Sequence, residues 1–156
     1  MILNLTINGE KKQIQIKPAD LLIDVLRKEG CFSVKKGCGT GDCGACSILV
    51  DGRLTRSCIM LAAQAEGKSV TTVEGISEGP EMHTVQEVFM RMNIEQCGFC
   101  MPGVVLAVKA LLDENPAPTD DDIKNYLDGN LCRCTGYIRW MDAIREAAKI
   151  SAGRRK

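Results

Sequence analysis

Gly37-Cys38-Gly39-Thr40-Gly41-Asp42-Cys43-Gly44-Ala45-Cys46 is the stretch from which the rest of the chain can be read. Its three cysteines stand at C-x4-C-x2-C spacing, and Cys58 extends the series by x11-C. The first three match the plant-type spacing for a [2Fe-2S] cluster. Thiolates suit iron because they are soft, anionic and tolerant of electron delocalisation. A loop has to wrap one side of such a cluster and supply three ligands, while a neighbouring hairpin brings the fourth. Gly37, Gly39, Gly41 and Gly44 let the backbone wind close and aim N–H groups at the sulfurs. Those hydrogen bonds stabilise the extra electron and so tune the potential. A structural zinc site is the alternative, but zinc knots favour short C-x2-C pairs, and this glycine-rich spacing is atypical of them.

The sequence around the loop reads mainly as strands. Leu3, Leu5 and Ile7 alternate with polar residues, Asn8-Gly9 follows, and Ile14 and Ile16 come next. Asn-Gly between alternating runs is a strong hairpin signal, because the turn needs positive φ at both central residues. Ser47 to Val50 and Leu54 to Cys58 flank Asp51-Gly52, a second hairpin, and Val70 to Val73 could add one more strand. Pro18 to Lys28 predicts a short helix, with Leu21, Leu22, Val25 and Leu26 on one face and Gly30 as its stop. One helix across a small sheet is an α+β arrangement.

The second half changes character. Gly75 to His83 is rich in Gly, Pro, Ser and Glu and reads as a linker. Thr84-Val85-Gln86-Glu87 is a capping-box pattern opening a helix through Val85, Val88, Phe89 and Met92. Pro102 opens a second helix, with Val105, Leu106, Val108, Leu111 and Leu112, which ends before Asn115-Pro116. Thr119 to Asp122 caps a third, closed by Gly129, and a fourth runs from about Tyr137 to Ser151. These add up to a small helical bundle. The Lys/Arg tail after Gly153 reads as a solvated end.

A second cysteine series lies in this half. Cys97 and Cys100 form C-x2-C, and 31 residues on Cys132 and Cys134 form C-x-C. Alone this pattern is ambiguous, and zinc held by four cysteines is a fair rival. Both pairs fall where helices are predicted to begin, so helix N-termini point at the ligands, which lowers thiolate pKa and suits an anionic cluster. Beside the first series, a second [2Fe-2S] centre becomes the better reading. Cys31 is left over and reads as a small buried apolar residue.

The rest of the composition is consistent with this. The chain has 156 residues, 20 basic and 20 acidic side chains, and nine cysteines. Balanced charge gives no reason to expect a nucleic-acid or membrane-surface partner. No apolar run approaches the ~20 residues of a membrane span, and the N-terminal residues lack the pattern of a secretory signal. A cytoplasmic, reducing location is therefore expected, which argues against a disulfide framework, as does the odd cysteine count. There is one histidine, His83, read as a surface residue of the linker. There is no histidine–acid pair, and no Gly-x-Gly-x-x-Gly leads from strand to helix, so the chain offers no convincing catalytic constellation or bound dinucleotide of its own. Two clusters without a substrate site mean electron relay.

Three motifs carry a family resemblance: Gly37 through Cys46, then Gln96-Cys97-Gly98-Phe99-Cys100-Met101-Pro102-Gly103, then Gly129-Asn130-Leu131-Cys132-Arg133-Cys134-Thr135-Gly136-Tyr137. In this order they resemble the iron–sulfur subunit of the molybdenum hydroxylases, a family that includes xanthine dehydrogenase, aldehyde oxidoreductase, nicotinate dehydrogenase, carbon monoxide dehydrogenase and 4-hydroxybenzoyl-CoA reductase. The match covers almost the whole chain. It implies a β-grasp ferredoxin domain (residues 1–75), a linker (76–83) and an all-α four-helix-bundle domain (84–156). It implies Cys38, Cys43, Cys46 and Cys58 on a cluster facing a flavin subunit, and Cys97, Cys100, Cys132 and Cys134 on a cluster near the molybdenum cofactor. Gln96 and Cys134 would also approach the pterin of that cofactor. Electrons would pass from molybdenum through both clusters to FAD and on to NAD or another acceptor. Two residues depart from many members: Met101 stands in place of Thr, and Thr40 in place of Glu. Neither is a ligand.

By the same resemblance, the chain would be the separate small subunit of a hetero-oligomer, with the molybdenum cofactor held by a large subunit and FAD by a medium one. A purine such as xanthine is the expected substrate, with another N-heterocycle or an aldehyde open. The alternatives are a free ferredoxin or iron–sulfur sensor, against which the extra helical domain argues, and a zinc-dependent binding module.

Overall fold

A computed structural model of the chain describes residues 1–77 and 79–154. Strands β1 (Ile2–Ile7) and β2 (Glu10–Gln15) form the first hairpin. Its turn residues Asn8 and Gly9 have φ of +50° and +85°, the left-handed pair that lets two twisted strands meet. β3 (Ser47–Val50) and β4 (Arg53–Arg56) repeat the device with Asp51 at +49° and Gly52 at +79°. β5 (Ser69–Thr71) runs parallel to β1 and antiparallel to β3, which joins the hairpins into one mixed sheet of order β2-β1-β5-β3-β4.

Helix α1 (Leu22–Lys28) is shorter than the sequence predicts. Residues before it form a turn instead, with the Asp20 carboxylate accepting from the Lys17 N–H at 2.9 Å. The first free N–H groups of α1 donate elsewhere, Leu22 to the Met60 carbonyl at 2.8 Å and Ile23 to the Ser57 carbonyl at 3.1 Å. The start of α1 is thus tied to the turn that carries Cys58. β4 also ends early, at Arg56, and Ser57 extends the contact by giving its hydroxyl to the Cys46 carbonyl at 2.7 Å. β5 stops at Thr71 because the Asn8 side chain accepts the backbone N–H of Thr72 and donates to its hydroxyl oxygen.

Four helices follow: α2 (Thr84–Arg91), α3 (Met101–Glu114), α4 (Asp120–Leu127) and α5 (Ile138–Arg154). The capping box of α2 sits one residue earlier than predicted. His83, not Thr84, is the cap: its Nδ1 accepts from the Val85 N–H, and the Gln86 side chain accepts from the His83 N–H at 3.1 Å. His83 is therefore a structural residue and half-buried, contrary to the surface reading. Thr119 caps α4 as predicted, with Asp122 returning the bond to the Thr119 N–H at 2.8 Å. Part of the segment read as linker is tied down, since Ile76 is buried and the Ser77 hydroxyl donates to Gln86; Glu78 lies outside the described residues. Nor is Arg154 a loose end, for it donates to Thr84 at 2.8 Å and Glu87 at 3.0 Å. The rest of the tail, Arg155 and Lys156, lies outside the described residues. Among the described residues no helix is long and apolar enough to cross a membrane.

The buried side chains form two clusters. One holds Leu3, Leu5, Leu22, Ile23, Leu26, Ile48 and Val70 between the sheet and α1, with Cys31 buried beside them as expected. The other holds Val88, Phe89, Leu106, Ile123, Trp140 and Ile144 among the helices. β3 contributes to both: Ile48 and Val50 face α1, while Leu49 belongs to the helical cluster. All four residues of β3 are buried, the mark of a strand covered on both faces. α3 supplies the second cover.

Removing the fully buried indole by Trp140→Ala should cost about 3–5 kcal/mol, and removing the cap by Thr119→Ala about 1 kcal/mol. Thermal or urea unfolding of the two variants measures both, and equal losses would contradict this account of the core.

Candidate metal centres

The first cysteine group is built by the loop between α1 and β3 and by the turn after β4. Gly39, Gly41 and Gly44 have φ of +76°, +93° and +72°, so the loop doubles back at positions only glycine occupies without strain. This winding directs backbone N–H groups at sulfur. Cys38 Sγ accepts from Thr40 N and Cys43 N, and Cys43 Sγ accepts from Cys38 N, each at 3.4 Å. The Thr40 side chain, with the backbone of Cys43 and Thr40 behind it, brings the Cys38 thiol down to about 5. Cys46 and Cys58 are buried, and burial, reinforced by the neighbouring Cys46 thiol, pushes Cys58 up to about 11. Gly37 closes the cradle, because a Cβ there would stand 2.7 Å from Cys43 Sγ.

The second group lies at the start of α3 and in the turn ahead of α5. Cys100 is the N-cap residue of α3, with Pro102 in its first turn. Cys132 and Cys134 precede α5 by several residues, so the helix-start reading holds for Cys100 and not for this pair. Burial, with Cys132 next to it, pushes the Cys100 thiol up to about 12. Burial also raises Cys132, but the hydroxyl and N–H of Thr135 outweigh it and leave that thiol lowered. Tyr137 fixes the turn: its hydroxyl accepts from Cys132 N at 2.9 Å, and its ring meets Trp140 edge-on at 5.2 Å. Cys97 and Cys134 are exposed, with sulfurs 3.6 Å apart. The exposed Gln96 amide donates to the Cys134 carbonyl at 3.1 Å, so the two residues expected to approach a pterin are neighbours.

The thiols thus fall into pairs: Cys38 with Cys43, Cys46 with Cys58, Cys97 with Cys134, and Cys100 with Cys132. Two thiolates on one tetrahedral metal, with ~2.3 Å bonds, lie ~3.8 Å apart, close to the Cys97–Cys134 separation. All-sulfur donors and backbone N–H groups at the sulfurs fit a two-iron cluster in each group, and the first group adds a glycine cradle. Among the described residues no set of three or more His, Cys, Asp or Glu side chains converges on a point where a single ion could sit.

Residues 129–131 dock the second group onto the first. Leu131 N donates to the Cys43 carbonyl at 3.0 Å. Arg56 gives Nη1 to Ser47 Oγ at 2.6 Å and Nη2 to the Gly129 carbonyl at 3.0 Å. A Cβ on Gly44 would collide with the Gly129 carbonyl and the Asn130 amide, and one on Gly103 with the Gly44 carbonyl. Asn130 is buried against Gly44 with neither amide atom hydrogen-bonded among the described residues. Sequence reasoning did not find Arg56 or Ser47, which carry no motif. Thr135 and Tyr137 lay inside a quoted motif, and only their roles were missing.

Fold and sites together define an iron–sulfur subunit of an oxidoreductase. Residues 5–72 match the model of the "2Fe-2S iron-sulfur cluster binding domain", and residues 72–145 that of the "[2Fe-2S] binding domain". The chain is 45% identical over 151 residues to the nicotinate dehydrogenase small FeS subunit of Eubacterium barkeri, covering 96% of each chain. It is 44% identical over 147 residues to the xanthine dehydrogenase iron-sulfur-binding subunit of Escherichia coli, covering 92% of each chain. Among solved structures, quinoline 2-oxidoreductase from Pseudomonas putida 86 superposes with a TM-score of 0.93 at 45% identity, covering 99% of this chain and 96% of the matched one. The chain belongs to the family of iron–sulfur subunits of the molybdenum hydroxylases.

Alanine is about 1 kcal/mol better than glycine within a helix, yet Gly103→Ala should destabilise the chain, because its methyl meets the Gly44 backbone. A melting temperature that rises in this variant would refute the close docking.

Proposed function

We propose that the chain carries electrons from a molybdenum-cofactor subunit through two [2Fe-2S] clusters to an FAD subunit, which hands them to NAD or another acceptor. The observation that carries this reading is the placement of the thiols. Each group has an exposed end, Cys38 in one and Cys97 with Cys134 in the other, and a buried end that leads inward. Where the two groups approach, Leu131 bonds to Cys43. Exposed ends suit contact with partner subunits, and a hydrogen-bonded junction between the two groups suits conduction between them.

Cys38, Cys43, Cys46 and Cys58 would hold one cluster, with Cys38 and Cys43 on one iron and Cys46 and Cys58 on the other. Cys97 with Cys134, and Cys100 with Cys132, would hold the second. Each cluster, when bound, takes up and gives back one electron. The residues of the chain do the rest: Thr40 and Thr135 donate to sulfur, and Gly37 and Gly44 keep the loops close. Gln96 and Cys134 would face the pterin of the partner's cofactor, with Gln96 orienting the Cys134 backbone. In domain terms, residues 1–75 form a β-grasp ferredoxin unit and 84–156 a four-helix bundle, joined through 76–83. The named relatives are subunits of a nicotinate and a xanthine dehydrogenase, and a quinoline oxidoreductase. A nitrogen heterocycle, purine or pyridine-like, is accordingly the substrate class of the assembled enzyme.

The test is iron and sulfide content with EPR of the dithionite-reduced chain. About four irons and two distinct S = 1/2 signals are expected. Cys43→Ser should abolish one signal and turnover with the physiological acceptor, while the other signal remains. Wild-type turnover in that variant, or zinc in place of iron, would overturn the relay.

A further inference from the structure

The two cysteine groups are joined by bonded atoms throughout. Leu131 N–H donates to the Cys43 carbonyl at 3.0 Å, and Leu131 is followed directly by Cys132. From Cys43 Sγ the path runs along side chain and backbone to that carbonyl and crosses one hydrogen bond. It then continues along backbone and side chain to Cys132 Sγ, with no gap of empty space. Tunnelling through bonded atoms decays far less steeply than tunnelling across a van der Waals gap.

The bridge is also clamped. Arg56 spans from Ser47 to Gly129, and Ser47 Oγ in turn donates to the Gly44 carbonyl at 2.6 Å. The guanidinium therefore holds the residue after Cys43 and the segment leading to Leu131 in one frame. Its planar fork reaches both acceptors at once, which a lysine does not reproduce. Gly44 has no side chain to keep the segments apart, and the buried Asn130 fills the space against it.

We propose that the hydrogen bond from Leu131 N–H to the Cys43 carbonyl is the electron bridge between the two centres, and that Arg56 is the positioning residue that keeps it closed. The proposal rests on the two-cluster reading above. In the step, the centre held by Cys97, Cys100, Cys132 and Cys134 is oxidised by one electron. The centre held by Cys38, Cys43, Cys46 and Cys58 is reduced by one. No proton moves and no bond breaks.

The experiment uses the full chain with both clusters loaded. A pulse-generated viologen radical delivers one electron, and the rate of intramolecular equilibration is followed by absorbance. Midpoint potentials and EPR spectra are recorded for the same samples. Leu131→Pro deletes the N–H, and Leu131→Ala keeps it. Arg56→Met deletes the clamp, and Arg56→Lys restores only its charge. Arg56→Met frees the Gly129 segment from Ser47 and should slow equilibration several-fold, with Arg56→Lys in between. Leu131→Pro should slow it at least as much, with potentials unchanged, and Leu131→Ala should match the wild type.

A wild-type rate in fully loaded Leu131→Pro overturns the bridge. So does a slowing that shifted potentials account for. Should Leu131→Pro not load both clusters, a wild-type rate in Arg56→Met overturns it instead. Failure of the underlying reading is separate and visible earlier, as one cluster or zinc in the unmodified protein.

Discussion

The approach of residues 129–131 to the Cys43-Gly44 turn is the contact on which the arrangement of the chain depends. It brings backbone against backbone, which is possible only because Gly44 and Gly103 carry no side chains, while Gly129 leaves room for the Arg56 guanidinium. Gly44 has a further constraint, since its φ of +72° strains any residue with a Cβ. Arg56 then supplies what packing alone does not, a charged donor that satisfies the Gly129 carbonyl and reaches Ser47. Bonds of this kind are shorter and stronger than neutral ones. Against that, the Asn130 amide is buried with no partner among the described residues, an arrangement that costs about 1–3 kcal/mol. The junction is therefore held by its hydrogen bonds and its shape, in spite of one unfavourable group.

Behind this junction stands β3. A strand with one buried face would have left the helices free to pack elsewhere. Burying Leu49 on the face opposite Ile48 and Val50 makes the sheet the shared wall of both cores. The first turn of α3 is thereby fixed over the cysteine loop, and Cys100 with it. The same geometry holds α1, whose leading N–H groups bond to the carbonyls of Ser57 and Met60 and so pin the Cys58 turn. Cysteines distant in sequence are placed by secondary structure that is itself cross-braced.

Much of this was legible in the sequence. Both hairpin turns were, because Asn-Gly and Asp-Gly meet a backbone demand that few other pairs meet. Helices α3 and α4 were, because Pro102 and Thr119 mark their starts by local chemistry. The cysteine spacings pointed to two sulfur-lined sites for the same reason. What could not be read was set by partners far along the chain. The start of α1 depends on carbonyls near residue 60, the end of β5 on Asn8, and the α2 cap on a choice between His83 and Thr84 that differs by one residue. Arg56 belongs to this group too. An arginine in a strand gives no sign that its guanidinium spans from Ser47 to Gly129.

The tie between Leu131 and Cys43 has a consequence for how the molecule is made. Synthesis proceeds from the N-terminus, and domains tend to fold as they emerge. All four cysteines of the first group leave the ribosome long before Leu131 does. The carbonyl of Cys43 and one amino group of the Arg56 guanidinium therefore wait in water for partners that are made later. The loop around Cys38 to Cys46 gains its bond to Leu131 only once that residue has been made. The joining of the two cysteine groups is in this sense a late event, timed by the length of chain between the two halves of a single hydrogen bond.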